Sequence, residues 1–249
     1  MTASREELLI GLLADRLAGD RHVAVGAASP IPGAAALLAQ AENRTRNKRR
    51  MHVTILHSRR FNPFSDGSRE LFDAAAQGRI DSFFLGGVQI DGQANINLVG
   101  IGDYPAMKKR FPGSFGSGLL YYVVPKVILF REEHSPRSLV ETVDFVSAPG
   151  SSDEGVYRPG GPQALVTGRA VFAFDATKCR FRLEQLHPGE TLAGIKAATG
   201  FSFDVATLSE TPQPSAERRA RLRHEIAPKV AEFYPEFAQR VWGVEPAAA

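Results

Sequence analysis

From position 83 to 117 the chain reads FFLGGVQIDGQANINLVGIGDYPAMKKRFPGSFGS, which sets seven glycines, two asparagines and two aspartates among short apolar runs. A stretch of that composition builds a site. Phe83, Phe84 and Leu85 read as a buried strand that stops at Gly86 and Gly87, and positions 94–99 alternate as a second strand after the turn at Asp91-Gly92. A second glycine cluster, Gly113-Ser114-Phe115-Gly116-Ser117-Gly118, precedes the apolar run 119–124. Lacking a Cβ, such positions let backbone N–H groups converge on a phosphate or a carbonyl oxyanion, and they serve equally to turn tight corners.

On either side of that stretch, strand and helix patterns alternate. Ser4-Arg5-Glu6-Glu7 is a capping box for a helix whose Leu8, Leu9, Leu12, Leu13 and Leu17 recur at helical spacing, ending at Gly19. Positions 22–26 read as a strand, 27–33 as a small-residue turn with two prolines, and 34–41 as a helix. Strand 51–56 and helix 69–76 repeat the alternation. After the central stretch come a strand at 126–130, a turn at 134–137, a further strand at 139–147 and a polar loop at 151–161, the segment expected to be most mobile. Runs at 164–167, 171–175 and 180–186 alternate like antiparallel strands. A helix at 191–199, a last strand at 202–205, a linker at 211–215 and a helix at 216–226 lead to an amphipathic tail, 228–242, suited to docking on a partner. The pattern is α/β, and we take positions 1–249 as one domain.

Thirty Lys and Arg against 27 Asp and Glu leave a charge of +3, which suits an anionic ligand without demanding nucleic acid. The basic run 44–50 fits a solvated loop, a phosphate contact or a partner subunit, with nucleic acid a distant reading. A single cysteine, Cys179, excludes an internal disulfide, argues against a cysteine-based metal site and fits a reducing cytoplasm. It falls in the alternating stretch 178–186, so a sheet position is expected. Acidic residues at Glu6, Glu7 and Asp15 argue against a signal peptide. The most apolar run, 119–130, is broken by Pro125 and Lys126 and is shorter than the ~18 residues of a membrane span. A soluble cytoplasmic protein is expected.

The pieces LGGVQIDGQANINLVGIGDYP (85–105), RFPGSFGSG (110–118), His134 with Arg137, VDFVSAPG (143–150), GGPQALVT (160–167), HPGET (187–191) and ATGFSFDV (198–205) follow one another in a specific order. That order resembles the second (β) subunit of the two-subunit class I CoA-transferases, of the glutaconate CoA-transferase type. The resemblance implies a three-layer α/β/α fold around an open, mostly parallel sheet with a small antiparallel addition. It implies a coenzyme A thioester as substrate, no metal, and an α subunit as partner in a heterodimer or heterotetramer with the site between the two. Neither nucleic acid nor membrane belongs to that picture. His134 and Arg137 are expected to be structural or to face the other subunit.

Where the family places a catalytic glutamate, at the end of the strand 51–56, this chain has Leu56 and His57. Neither is a carboxylate, and Asp66 and Glu70 sit where acidic residues favour a helix start. His57 is the candidate general base. Gly86, Gly87, Gly113, Ser114, Gly116 and Ser117 are the expected wall and cradle, with Gly116 counted as catalytic, and Gln89, Asn95 and Asn97 are expected to orient an acyl group. Phe115 stands where the family usually has glycine, which restricts the second cradle. Three readings stay open: an enzyme that hydrolyses, cleaves or decarboxylates a CoA thioester without a glutamyl-CoA intermediate, a transferase whose carboxylate comes from elsewhere, and a scaffold that completes a partner's site.

Overall fold

The computed structural model describes residues 3–45 and 50–245, so positions 46–49 of the basic run lie outside the described residues. The first elements in chain order are α1 (Arg5–Arg16), β1 (His22–Val25), α2 (Pro30–Thr45), β2 (His52–Ile55), α3 (Ser68–Ala76) and β3 (Ser82–Leu85). Four two-residue strands follow, β4 (Gln89–Ile90), β5 (Ile96–Asn97), β6 (Gly100–Ile101) and β7 (Lys109–Arg110). Then come α4 (Ser117–Val123), β8 (Lys126–Arg131), β9 (Pro162–Thr167), β10 (Ala170–Asp175), β11 (Arg180–Leu186), α5 (Leu192–Ala198) and β12 (Asp204–Glu210). The chain continues through α6 (Ala216–Arg221), a π-turn (Leu222–Ile226), α7 (Ala227–Ala231) and α8 (Pro235–Trp242).

The strand order is β12-β11-β10-β9-β8-β3-β1-β2, and β4-β5 and β6-β7 are separate antiparallel pairs. Pairs β1-β2, β8-β9 and β11-β12 are parallel, while β9-β10 and β10-β11 supply the antiparallel addition. Contacts gather into two units. The first comprises Met1–Gly67, Ile80–Ser82 and Pro212–Ala249, the second Ser68–Arg79 and Phe83–Thr211.

In the first unit the capping box is formed as expected: Glu7 N donates to Ser4 Oγ and Ser4 N to Glu7 Oε2, both at 3.1 Å. Helix α2 starts at Pro30, four positions before the expected start, because proline's fixed φ suits the first turn and its missing N–H is no loss there. Leu9, Ile10, Leu13, Leu17, Leu37 and Ile55 are fully buried, each worth about 1.5–3 kcal/mol on transfer from water. Arg218 joins Asp15 at 2.5 Å and Glu42 at 2.7 Å, and Arg223 joins Glu7 at 2.7 Å, so the C-terminal helices are held to α1 and α2 by ion pairs. The apolar side of 228–242 is not left for a partner. Val230, Ala231, Phe233, Phe237 and Ala238 are buried within this unit, and the Phe233 ring lies 6.1 Å from Phe61.

In the second unit Phe172 packs against the rings of Phe181, Phe201 and Phe203 to form an aromatic core. His134 is buried there, Nδ1 at 2.8 Å from the Thr167 hydroxyl and Nε2 at 2.9 Å from that of Thr199. Burial, with Arg169 and His187 nearby, pushes its pKa down to about 4, against the opposing pull of Glu190. The ring is a neutral structural tie, while Arg137 pairs with Glu133 at the surface.

Further expected elements differ. Positions 94–99 hold only Ile96–Asn97 as strand, because Ala94 takes φ 62, outside the extended region. Positions 139–147 form no strand: Leu139 and Ala148 make isolated bridges to Ile90 and Ile96, Val140 N and Ser147 N donate to Ile90 O and Ile96 O, and Asp144 N between them donates to Gln89 Oε1. Cys179 is in the turn between β10 and β11 at φ 49, not in the sheet. Among the described residues no helix is long and apolar enough to cross a membrane, and no group of three His, Cys, Asp or Glu is placed to hold a metal ion.

Candidate active site

Strand β2 ends in a tight turn of the first unit. Leu56 N donates to Val25 O at 3.0 Å and Ser58 N to Ile55 O at 3.0 Å. The buried Ser58 hydroxyl accepts from Arg60 N at 3.2 Å and Phe61 N at 3.0 Å. A serine that satisfies the turn's own N–H groups in this way leaves the preceding side chain free to leave the core. His57 is therefore exposed, and its ring stacks on Tyr234, centroids 5.5 Å apart and planes 7° from parallel. Tyr234 is fixed in turn: its hydroxyl donates to Ala27 O at 2.6 Å and accepts from Ser29 N at 3.2 Å.

His57 opens onto a cleft of about 480 Å3 whose wall includes Ser58, Arg59, Arg60, Glu232 and Phe233. Arg60 pairs with Glu232 at 2.9 Å and lies 5.4 Å from the Phe61 ring. An imidazole beside two guanidinium groups can take or give a proton next to an anion, the chemistry of a general base rather than of a carboxylate nucleophile. Arg60, Glu232 and Tyr234 were not singled out by the sequence. Glu232 and Tyr234 come from a segment about 175 positions from His57, and no local pattern announces that meeting.

The second unit holds the other expected site residues. Gly86 and Gly87 allow close packing at the end of β3: a Cβ on Gly86 would stand 2.9 Å from Phe130 O, and one on Gly87 2.7 Å from Gln89 O and from Ile96 Cγ2. Asn97 is fully buried, and its amide donates to Gln89 Oε1 and Gly100 O at 2.7 Å and accepts from Val99 N and Gly100 N. All four of its hydrogen-bonding positions are occupied. Asn95 donates to Asp91 Oδ2 and accepts from Gly150 N, both at 3.0 Å. Gln89 Oε1 accepts from Asn97 and from Asp144 N. Gln89, Asn95 and Asn97, expected to orient an acyl group, hold these loops together: Gln89 and Asn95 tie the β4-β5 hairpin to Asp144 and Gly150, and Asn97 closes the hairpin on Gln89, Val99 and Gly100.

The loop 113–117 is more open. Gly113 takes φ 98 with nothing near its missing Cβ, and Ser114 O accepts from Ser117 N at 2.8 Å. The amides of Phe115 and Gly116 have no partner among the described residues. Gly116 precedes α4 and packs on Phe72, whose ring a Cβ would meet at 2.0 Å, so close packing requires this glycine whatever else it does. Phe115 holds φ 43, a strained conformation for a bulky residue, and is 86% exposed. The second unit therefore brings Gly113, Ser114, Gly116 and Ser117 together in one loop, apart from Gly86 and Gly87 at the end of β3, and His57 belongs to the first unit.

A family model described as coenzyme A transferase matches residues 12–198. The chain belongs to the coenzyme A transferase family. Within that family, one of the subunits of glutaconate CoA-transferase from Acidaminococcus fermentans is 33% identical over 152 residues, covering 58% of this chain and 56% of its own length. The cholesterol ring-cleaving hydrolase IpdB subunit of Mycobacterium tuberculosis H37Rv is 27% identical over 171 residues, covering 64% of this chain and 65% of its own. The match to each of these curated relatives thus spans less than two thirds of the relative's length. In three dimensions a single-residue variant of the decarboxylase AibA/AibB is similar at a TM-score of 0.72 with 26% identity, covering 88% of this chain and 94% of that one. Coenzyme A transferases act on CoA thioesters, and the α/β architecture expected from the resemblance is the one present.

Proposed function

We propose that this chain is one subunit of a two-subunit enzyme that hydrolyses, C–C-cleaves or decarboxylates an acyl-CoA without forming a glutamyl-CoA intermediate on this chain. The observation that carries the reading is the end of β2, where His57 and not a carboxylate faces the cleft beside Arg59 and Arg60. Without a nucleophile there, covalent transfer loses its first step, while an imidazole can still activate water or move a proton. Backbone amides at Phe115 and Gly116 suit a thioester oxyanion, an interaction of ~2.7–4 kcal/mol per donor. Relatives named as a ring-cleaving hydrolase subunit and a decarboxylase lend the reaction class, and the subunit names lend an α-subunit partner.

A second reading rests on Glu232, a carboxylate in the wall of the same cleft. In that reading the enzyme is a transferase moving CoA between carboxylic acids. One experiment separates the two: co-express the chain with its partner subunit, assay acyl-CoAs with and without an acceptor acid, and map peptides by mass after borohydride trapping. Turnover without acceptor and no trapped carboxylate on this chain is the expected result. A trapped adduct on Glu232, Asp66 or Glu70 with acceptor-dependent turnover would overturn the proposal.

A further inference from the structure

At the opposite end of β2 from His57 lies a second cleft, of about 510 Å3, among Ala41, Arg44, Arg50, Met51, Glu225 and Lys229. Arg50 and Met51 lead into the strand and His57 follows it, so four extended residues, ~13 Å, separate the two. This cleft is accordingly no part of the His57 site. Both Arg44 Nη2, at 2.7 Å, and Lys229 Nζ, at 3.2 Å, converge on the same oxygen, Glu225 Oε1, and Arg221 Nε stands 3.9 Å from Oε2. Burial alone would raise the pKa of Glu225, but Lys229, Arg44 and Arg221 hold it below the usual value. One carboxylate thus gathers three cations, and Arg50 on the same wall makes no ion pair among the described residues. Among the described residues the lining carries three positive groups, Arg44, Arg50 and Lys229, against one negative, a net +2.

The backbone is shaped for this arrangement as well. Glu225 sits in the π-turn Leu222–Ile226, a departure from regular helix that is frequent at functional sites. Gln40 Nε2 donates to Met51 O at 3.0 Å and fixes the floor, where Ala41 and Met51 are buried. We propose that this cleft binds a phosphate-bearing small molecule of nucleoside-phosphate size. A dianionic phosphate matches the net charge, the guanidinium forks of Arg44 and Arg50 match its oxygens, and the volume is that of a small-molecule site. The phosphate comes from a free nucleotide, and the site does not depend on the reaction proposed for His57.

The test is direct binding to the purified full chain, in complex with its partner where it purifies so. ADP, CoA, inorganic phosphate and a single-stranded RNA of ~20 nucleotides are titrated by calorimetry into wild type, Arg50→Glu and Lys229→Gln. The expected result is ADP binding weakened ~10-fold or more in both variants, with inorganic phosphate competing weakly. ADP that CoA does not displace identifies a free nucleotide as the occupant; displacement by CoA with the same sensitivity to Arg50 would overturn the proposal, because the cleft would then hold only the family's own substrate. Arg50 is exposed, so its variant keeps the fold, and unchanged thermal unfolding verifies this. Absence of ADP binding, ADP affinity equal in all three proteins, or RNA binding tighter than ADP and rising with length would each overturn the proposal.

Discussion

At the end of β2, His57 is exposed and shares an open cleft with Arg59, Arg60 and Glu232, whereas Asn97 in the β4-β5 hairpin is fully buried with every polar position taken by a neighbour. Both regions are rich in polar side chains, and only the first leaves them available. The difference follows from what each turn requires. The Ser58 turn is satisfied by one hydroxyl, so the residues around it are free for other work. The hairpin runs through glycine corners with little regular pairing, so its backbone groups must find side-chain partners, and Asp91, Asn95, Asn97 and Gln89 supply them.

The contrast breaks most sharply at His57. The variant His57→Ala should lose ~10²–10⁴ in rate, about 2.7–5.5 kcal/mol of barrier, if His57 is the base. Its unfolding free energy should stay within ~0.5 kcal/mol of wild type, as for an exposed position. A stability loss with little change in rate would place His57 with the framework residues instead. At Asn97 the reverse is expected: Asn97→Ala strips partners from two N–H groups, a carbonyl and an amide oxygen, and should cost ~3 kcal/mol in urea unfolding. A variant as stable as wild type would show that water replaces those bonds and that the hairpin is less closed than described.

A smaller effect tests the second unit by pH. Unfolded chain takes up a proton on His134 below about 6.5, but in the native state only near 4. The native state therefore binds fewer protons in that window. Stability should be complete above pH 6.5 and fall towards pH 4 by at most ~1.4 kcal/mol per unit. His134→Gln should flatten the profile, seen by urea titrations at pH 7.5 and 5. A profile unchanged by the substitution would mean that His134 stays neutral when unfolded or is solvated when folded. Smallest of all, Glu232→Gln should alter stability by under ~1 kcal/mol, since its pair with Arg60 is largely exposed. A larger change would make Glu232 a structural anchor and remove it as a candidate carboxylate.

Regular patterns carried well from sequence to fold. The Ser4-to-Glu7 capping box, the alternation of β10 and β11 and the break at Gly200 depend on neighbours a few positions apart, and each is present. The elements that went astray depend on distant partners. Positions 139–147 have the composition of a strand, but their backbone bonds to Gln89 and Ile90. In the candidate site His57 was legible because an expected carboxylate is missing at a strand end, a local mismatch. The role of Asn97 was not, because an asparagine facing a ligand and one closing a loop look alike in a sequence. Tyr234 and Glu232 were invisible for a related reason: the turn they join lies most of the chain away.

The first unit is assembled from three stretches, Met1–Gly67, Ile80–Ser82 and Pro212–Ala249, and Tyr234 on the last of them is the platform on which His57 rests. During synthesis at ~5–20 residues per second, roughly 10–35 s pass between the emergence of the first stretch and the completion of the third. Throughout that interval α1 and α2 have each other but not the C-terminal helices that pack on α2, an aggregation hazard whose length is set by translation speed. The histidine's setting is thus decided late on the ribosome, and slow codons between the two stretches would lengthen the chain's dependence on chaperones without altering a single residue.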